Sequence, residues 1–215
     1  MLVIFDVEGV LYDAEYLPIL AEKVNKEKEI WDITKKGIQG LINWEEGLQK
    51  RVDLLKGISF DTCQEVADEL PIMNGAKELC KSLKSAGWKI MAVSGGFTIM
   101  TDRLKKELEL DFIFSNELIF KNGMLDGVTI NVNSDKAKSA TIKIEEWGQN
   151  KEDIVVVVDG ANDIKLFDIC GLGIAFRAQD IVKDIANKTL EEKDLSKVIQ
   201  IINNHYQLQL PLHTA

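Results

Sequence analysis

Apolar residues in this chain gather in short, nearly unbroken runs separated by stretches with helical spacing. The runs are LVIF at 2–5, KIMAVS at 89–94, IVVVV at 154–158 and a weaker LGIAF at 172–176. Strands covered on both faces read this way, because both sets of alternating side chains are apolar. Between the runs, apolar spacing predicts helices over 74–86, 98–108, 136–147, 161–169, 179–186 and 194–204. Alternation of this kind predicts an α/β fold with a parallel sheet. The piece ELIFKNGMLDGVTI at 117–130 differs: alternating apolar positions flank Asn122-Gly123, which signals a β-hairpin insertion.

Residues 13–71 break the alternation. They hold no convincing strand and read as helices over 14–25, 28–38, 44–56 and 59–69. Trp44, Leu48, Val52 and Leu55 recur at helical spacing and make one apolar face. The expected organisation is therefore an α/β core of residues 1–12 and 72–215, with a small helical cap, 13–71, inserted after the first strand. There are no internal repeats. The tail QLQLPLHTA (207–215) is expected to be loosely held.

Composition narrows the function classes. The 215 residues are 46% hydrophobic and 28% charged, ordinary for a globular chain. Lysine and arginine total 26 against 35 acids, a net charge of -9. That argues against nucleic acid as a partner, while leaving room for a small anion at a local positive site. Cys63, Cys80 and Cys170 are too sparse for a disulfide framework and read as packing residues in a reducing compartment. The first residues lack the basic region of a signal peptide, and no apolar run approaches the roughly 20 residues that span a bilayer. No membrane partner and a cytoplasmic location are expected. With only His205 and His213 present, chemistry falls to Asp, Glu, Lys and Ser.

Each of the three strong strands ends in polar residues and glycine: DVEG at 6–9, SGG at 94–96 and DGAND at 159–163. Alone, each reads as a turn or a helix cap. Ligands of parallel sheets sit beyond the strands' carboxyl ends, so the three would converge. Asp6, Glu8, Asp159 and Asp163 would then repel one another unless a divalent cation such as Mg²⁺ joined them. Ser94, Gly95 and Gly96 offer a hydroxyl and backbone N–H groups to an anion. Lys136 would add positive charge. A carboxylate nucleophile, a cation, donors and a lysine suit phosphoryl transfer.

These segments resemble the haloacid-dehalogenase-like superfamily, and VSGGF (93–97) with DGANDI (159–164) resembles its phosphoserine phosphatase branch. The resemblance runs to about residue 204. It implies a Rossmann-like core and a Mg²⁺-dependent phosphatase hydrolysing O-phospho-L-serine through an aspartyl phosphate. Asp6 would be the nucleophile and Glu8 the general acid/base, its backbone carbonyl also meeting Mg²⁺. Ser94, Gly95 and Lys136 would hold phosphoryl oxygens, with Asn162 lining the phosphate pocket. Asp159 would ligate Mg²⁺ and Asp163 would support it. Lys138 competes for the lysine role, but the family's usual spacing reaches Lys136. In the cap, Glu15 of YDAEYL would face the substrate amine and Arg51 its carboxylate, with Ile38 and Trp44 alongside. Trp44 and Arg51 are seven apart and share a helix face.

Three positions depart from the family pattern: Glu8 replaces Asp, Val10 replaces Thr, and Val158 replaces Gly. The D-x-E-G-V wording also resembles phosphoserine:homoserine phosphotransferases, so an alcohol acceptor is the alternative to water. A phospho-ligand-binding protein without turnover is the remaining one.

Overall fold

The computed structural model describes residues 1–211, apart from the side chain of Ile38. In order it contains β1 (Leu2–Phe5), α1 (Tyr16–Glu22), α2 (Glu27–Ile38), α3 (Trp44–Leu54), α4 (Phe60–Glu69) and α5 (Ala76–Ser85). There follow β2 (Lys89–Phe97), α6 (Thr98–Glu107), the hairpin β3 (Phe112–Lys121) and β4 (Met124–Thr129), and α7 (Lys136–Glu146). Last come β5 (Ile154–Val158), a 3₁₀ segment (Ala161–Ile169), β6 (Leu172–Phe176), α8 (Asp180–Lys183), β7 (Lys188–Leu190) and α9 (Val198–Tyr206). No described helix is long and apolar enough to cross a membrane.

The strands form one sheet in the order β4-β3-β2-β1-β5-β6-β7, parallel except for the β3–β4 hairpin. β1 is central, and its four residues are fully buried. Val3 and Phe5 face one apolar cluster with Leu79, Leu104, Val198 and Ile202. Leu2 and Ile4 face another with Ala140, Ile144 and Leu166. Burial on both faces explains the unbroken apolar run.

Of the four helices between β1 and α5, α3 and α4 begin where an N-cap side chain satisfies an otherwise orphan N–H group. Asn43 accepts from Glu46 N at 2.8 Å, and Ser59 from Thr62 N at 3.1 Å. Their buried side chains Leu48, Val52, Leu55 and Val66 join the same cluster as Val3 and Phe5. The chain enters and leaves this region side by side: Asp13 N donates to Pro71 O, and Met73 N to Leu11 O. From α6, Arg103 donates to the carbonyls of Asp68 and Leu70. The hairpin supports the far end. Leu125 N donates to Ile58 O, Phe60 N donates to Gly123 O, and the Phe60 and Phe120 rings meet edge-on at 5.1 Å.

Several expectations change. β2 continues through the SGG segment to Phe97, with its pairing to β3 slipping between Val93 and Phe97. The glycines are thus an irregular strand end, while α6 starts at Thr98 where a helix was expected. β3 begins at Phe112, because its first half pairs in parallel with β2 before turning into the hairpin. Residues 161–169 wind as 3₁₀ rather than α, and the helix expected over 179–186 shrinks to α8. β7 went unrecognised because KTL is short and mostly polar. The tail is tied down as far as Pro211: Leu210 N donates to Asn203 Oδ1, and Ser82 Oγ to Pro211 O. Its last four residues, including His213, lie outside the described residues.

Candidate active site

β1, β2 and β5 are adjacent and parallel, so their carboxyl ends share one edge of the sheet. Asp6 follows β1 directly, and its N–H still donates to Val157 O of β5. Gly9 then turns the chain at φ +80, where a side chain would be strained; a Cβ there would also strike the Asp159 carboxylate. Lys136 opens α7 and reaches back to the same edge. Its Nζ donates to Asp6 Oδ1 at 2.7 Å and pairs with Asp163 Oδ1 at 2.6 Å, while the residue is only 3% exposed. Lys138 points outward, 77% exposed, and lies 3.9 Å from Asp135. Lys136 therefore occupies the pocket and Lys138 does not.

Asp159 and Asp163 complete the acidic floor. Carboxylate oxygens of Asp6, Asp159 and Asp163 lie within 4.8 Å of one another. Asp163 is fully buried, and its Oδ2 has no hydrogen-bond partner among the described residues. A buried carboxylate oxygen left unpaired is costly, and three converging oxygen donors suit a hard divalent cation. The residues present therefore fit Mg²⁺. Asn162 lines the pocket and donates from Nδ2 to Asp163 Oδ1 at 3.3 Å.

Glu8 follows two residues after Asp6. Its Oε1 accepts from the backbone N–H of Tyr16, the first residue of α1, at 2.7 Å. The longer side chain thus spans from the sheet edge to a helix N-terminus. Ser94 is fully buried, its Oγ accepts from Gly96 N at 2.9 Å, and Gly95 is the residue of this segment that lines the pocket. A Cβ on Gly95 would come within 2.6 Å of Trp44 Cζ2, so this glycine lets the α3 indole lie against the β2 backbone.

Glu15, Trp44 and Arg51 line the opposite wall with Thr34. The Arg51 guanidinium donates from Nε to Gly47 O at 3.3 Å and from Nη1 to Thr34 Oγ1 at 3.2 Å. Ile38 ends α2, but its side chain is outside the described set. Beside Trp44, Glu45 Oε1 accepts from Ser134 N at 2.8 Å.

Five carboxylates share this space with two cations, and burial is the largest influence on four of them, Glu8, Glu15, Asp159 and Asp163. Burial raises Glu8, assisted by Asp6, while the Tyr16 N–H opposes it. Burial, with Glu8, Asp159 and Asp6 nearby, lifts Glu15 well above the usual carboxylate range. Asp159 is likewise lifted by burial and by Asp6 and Asp163. Asp163 is pushed up to about 7 by burial and Asp6, against the pull of Lys136. Burial alone would lower Lys136, but Asp163 and Asp6 outweigh it and hold its proton more tightly. Such an arrangement favours a bound cation over a ring of bare charges.

Asn116 escaped the sequence reading. Fully buried in β3, it donates to Gly95 O at 2.9 Å and accepts from the N–H groups of Asn131 and Val132. It ties the β2 glycines to the loop leading into Lys136. The polar trio Ser115-Asn116-Glu117 interrupting the apolar residues of β3 was the available signal.

The family model for haloacid dehalogenase-like hydrolases matches residues 1–167. A phosphoserine phosphatase of Archaeoglobus fulgidus is 38% identical over 204 residues, which cover 94% of this chain and 59% of that protein. One from Methanocaldococcus jannaschii is also 38% identical, covering 94% of this chain and 97% of the relative. Among solved structures, a substrate-bound phosphoserine phosphatase complex superposes with a TM-score of 0.89 at 35% identity, covering 93% of this chain and 97% of that one. A phospho-aspartyl intermediate analogue of phosphoserine phosphatase gives 0.88 with the same identity and coverage. The family match spans most of the chain, its acidic strand ends fall on the edge the fold predicts, and the chain belongs to the haloacid dehalogenase-like hydrolases.

Proposed function

We propose that this chain is a Mg²⁺-dependent phosphatase that hydrolyses O-phospho-L-serine to L-serine and phosphate. Residues 1–12 and 72–215 act as the catalytic core and 13–71 as a cap that reads the substrate. The observation that carries this reading is Asp6 held by buried Lys136 beside two further carboxylates, with Arg51 and Glu15 on the facing wall. The similarity to phosphoserine phosphatases supports the choice of substrate. Buried free cysteines support a cytoplasmic setting, and the acidic charge supports a small substrate over a nucleic acid.

Lys136 binds Asp6 Oδ1, which leaves Oδ2 to attack phosphorus as the bond from phosphorus to the serine oxygen breaks. Glu8, whose carboxyl pKa burial raises, acts in its protonated form as the general acid and gives its proton to the departing oxygen. Glu8 then takes a proton from water, whose oxygen attacks phosphorus and releases phosphate and free Asp6. Asp6, Asp159, Asp163 and the Glu8 carbonyl would hold Mg²⁺, which when bound neutralises phosphoryl charge. Ser94, Gly95, Asn162 and Lys136 receive phosphoryl oxygens, Glu15 the substrate ammonium and Arg51 its carboxylate, with Trp44 closing one side; the Ile38 side chain lies outside the described set.

The test is phosphate release with Mg²⁺ from L-phosphoserine, a sugar phosphate and p-nitrophenyl phosphate, with homoserine added in parallel. Phosphoserine is expected to be preferred, with Arg51→Ala raising its KM far more than that of the aryl phosphate. Preference for the sugar phosphate overturns the substrate, phosphohomoserine formation makes an alcohol the acceptor, and binding without release removes the enzyme reading.

Metal binding carries a second expectation. At low pH the raised carboxyl groups hold protons that a cation must displace, so apparent affinity falls with pH. Mg²⁺ is therefore expected to raise the melting temperature more at pH 7 than at pH 5. A shift of equal size at both values would place the ion elsewhere.

A further inference from the structure

Within 13–71, Thr34 is a buried polar side chain, 1% exposed. It sits on α2, away from the sheet edge that carries Asp6, and lines the pocket beside Arg51. A hydroxyl removed from water costs free energy unless it is hydrogen-bonded. The recorded partner here is the Arg51 guanidinium, whose Nη1 donates to Thr34 Oγ1 at 3.2 Å.

Arg51 is a long side chain with many rotamers, and ordering it at the moment of binding would weaken substrate affinity. Two contacts fix it beforehand. Nε donates to Gly47 O within α3, and Nη1 donates across to α2. A guanidinium has five N–H donors in a planar fork. With two of them engaged, the plane is set and three donors remain for a carboxylate. The Gly47 contact is intrahelical and moves with Arg51; Thr34 is the one that references the fork to a second helix.

We infer that Thr34 is a positioning residue that holds the Arg51 guanidinium in the plane needed to read the substrate's carboxylate, and so sets selectivity for amino-acid phosphates over phosphates lacking one. The inference rests on the phosphoserine reading above. Its chemistry is recognition only, so no bond order changes.

The test compares Thr34→Val, which keeps the shape and removes the oxygen, with Thr34→Ser, which keeps the oxygen and removes a methyl. A lost hydrogen bond to a charged group corresponds to roughly tenfold or more in affinity. Thr34→Val is expected to raise KM for L-phosphoserine roughly tenfold, with kcat little changed and KM for p-nitrophenyl phosphate unmoved. Thr34→Ser should stay close to the parent on both substrates. Equal KM changes on the two substrates, no change on phosphoserine, or a Ser variant as impaired as the Val variant would each overturn the inference. The two failures separate cleanly. If the parent does not turn over phosphoserine, or Arg51→Ala affects both substrates alike, the underlying reading fails. If the parent and Arg51→Ala behave as expected while Thr34→Val discriminates nothing, only the role of Thr34 fails.

Discussion

Asp6→Asn is expected to lower kcat for L-phosphoserine by roughly 10⁴-fold or more, because the amide has no nucleophilic oxygen to offer phosphorus. The substitution keeps the size of the side chain and an oxygen for Lys136, which also retains its pairing with Asp163 at 2.6 Å. It removes one negative charge from a crowded buried set, so the metal-free protein should melt no lower than the parent. Activity and melting temperature measured together decide the matter. A large loss of both would mean that Asp6 is chiefly a folding element, and retained turnover would remove it from the mechanism.

Lys136→Met is expected to cost both turnover and stability. Lys136 is buried between Asp6 and Asp163, and removing the cation leaves two carboxylates without their partner. Breaking a buried pair in this way costs about 3–5 kcal/mol. The direction with pH follows from the groups involved. Lys136 holds its proton above the ordinary lysine value, so its contribution is intact throughout the neutral range and is lost only as pH climbs through that raised value. Dependence between pH 5 and 8 therefore comes from the carboxylates. Asp163 titrates near 7 even with Lys136 present, and higher without it. The stability deficit of the variant should be largest at pH 8 and shrink toward pH 5, where protonation neutralises the stranded Asp163. Urea unfolding of metal-free protein at the two values measures this. A deficit independent of pH would show that packing, not charge, is what the variant loses.

The core of this fold was legible because β1, β2 and β5 are covered on both faces, and that environment writes itself as an apolar run. Their polar ends were legible for the complementary reason that apolar strands stop where side chains must meet a ligand. Lys136 could be chosen over Lys138 only through the family's spacing, since both begin the same helix and only three-dimensional direction separates them. What stayed hidden consists of pairings between distant residues. Asn116 bridges three backbone groups from two segments, Thr34 meets Arg51 across a helix pair, and Glu8 finds its partner in a main-chain N–H that carries no sequence label. The oddity of Glu at position 8 becomes intelligible only with that bond, because the extra methylene supplies the reach to Tyr16.

The support that β3 and β4 give to residues 57–60 has a consequence for how such proteins diversify. Leu125 and Gly123 exchange backbone hydrogen bonds with Ile58 and Phe60, and Leu48, Val52 and Leu55 share their apolar cluster with the sheet. The helices α1 to α4 are thus not an interchangeable attachment spliced in at residues 13 and 71. A lineage that exchanged them for another set would also have to rewrite a hairpin some sixty residues downstream, so the two insertions are heritable as one piece.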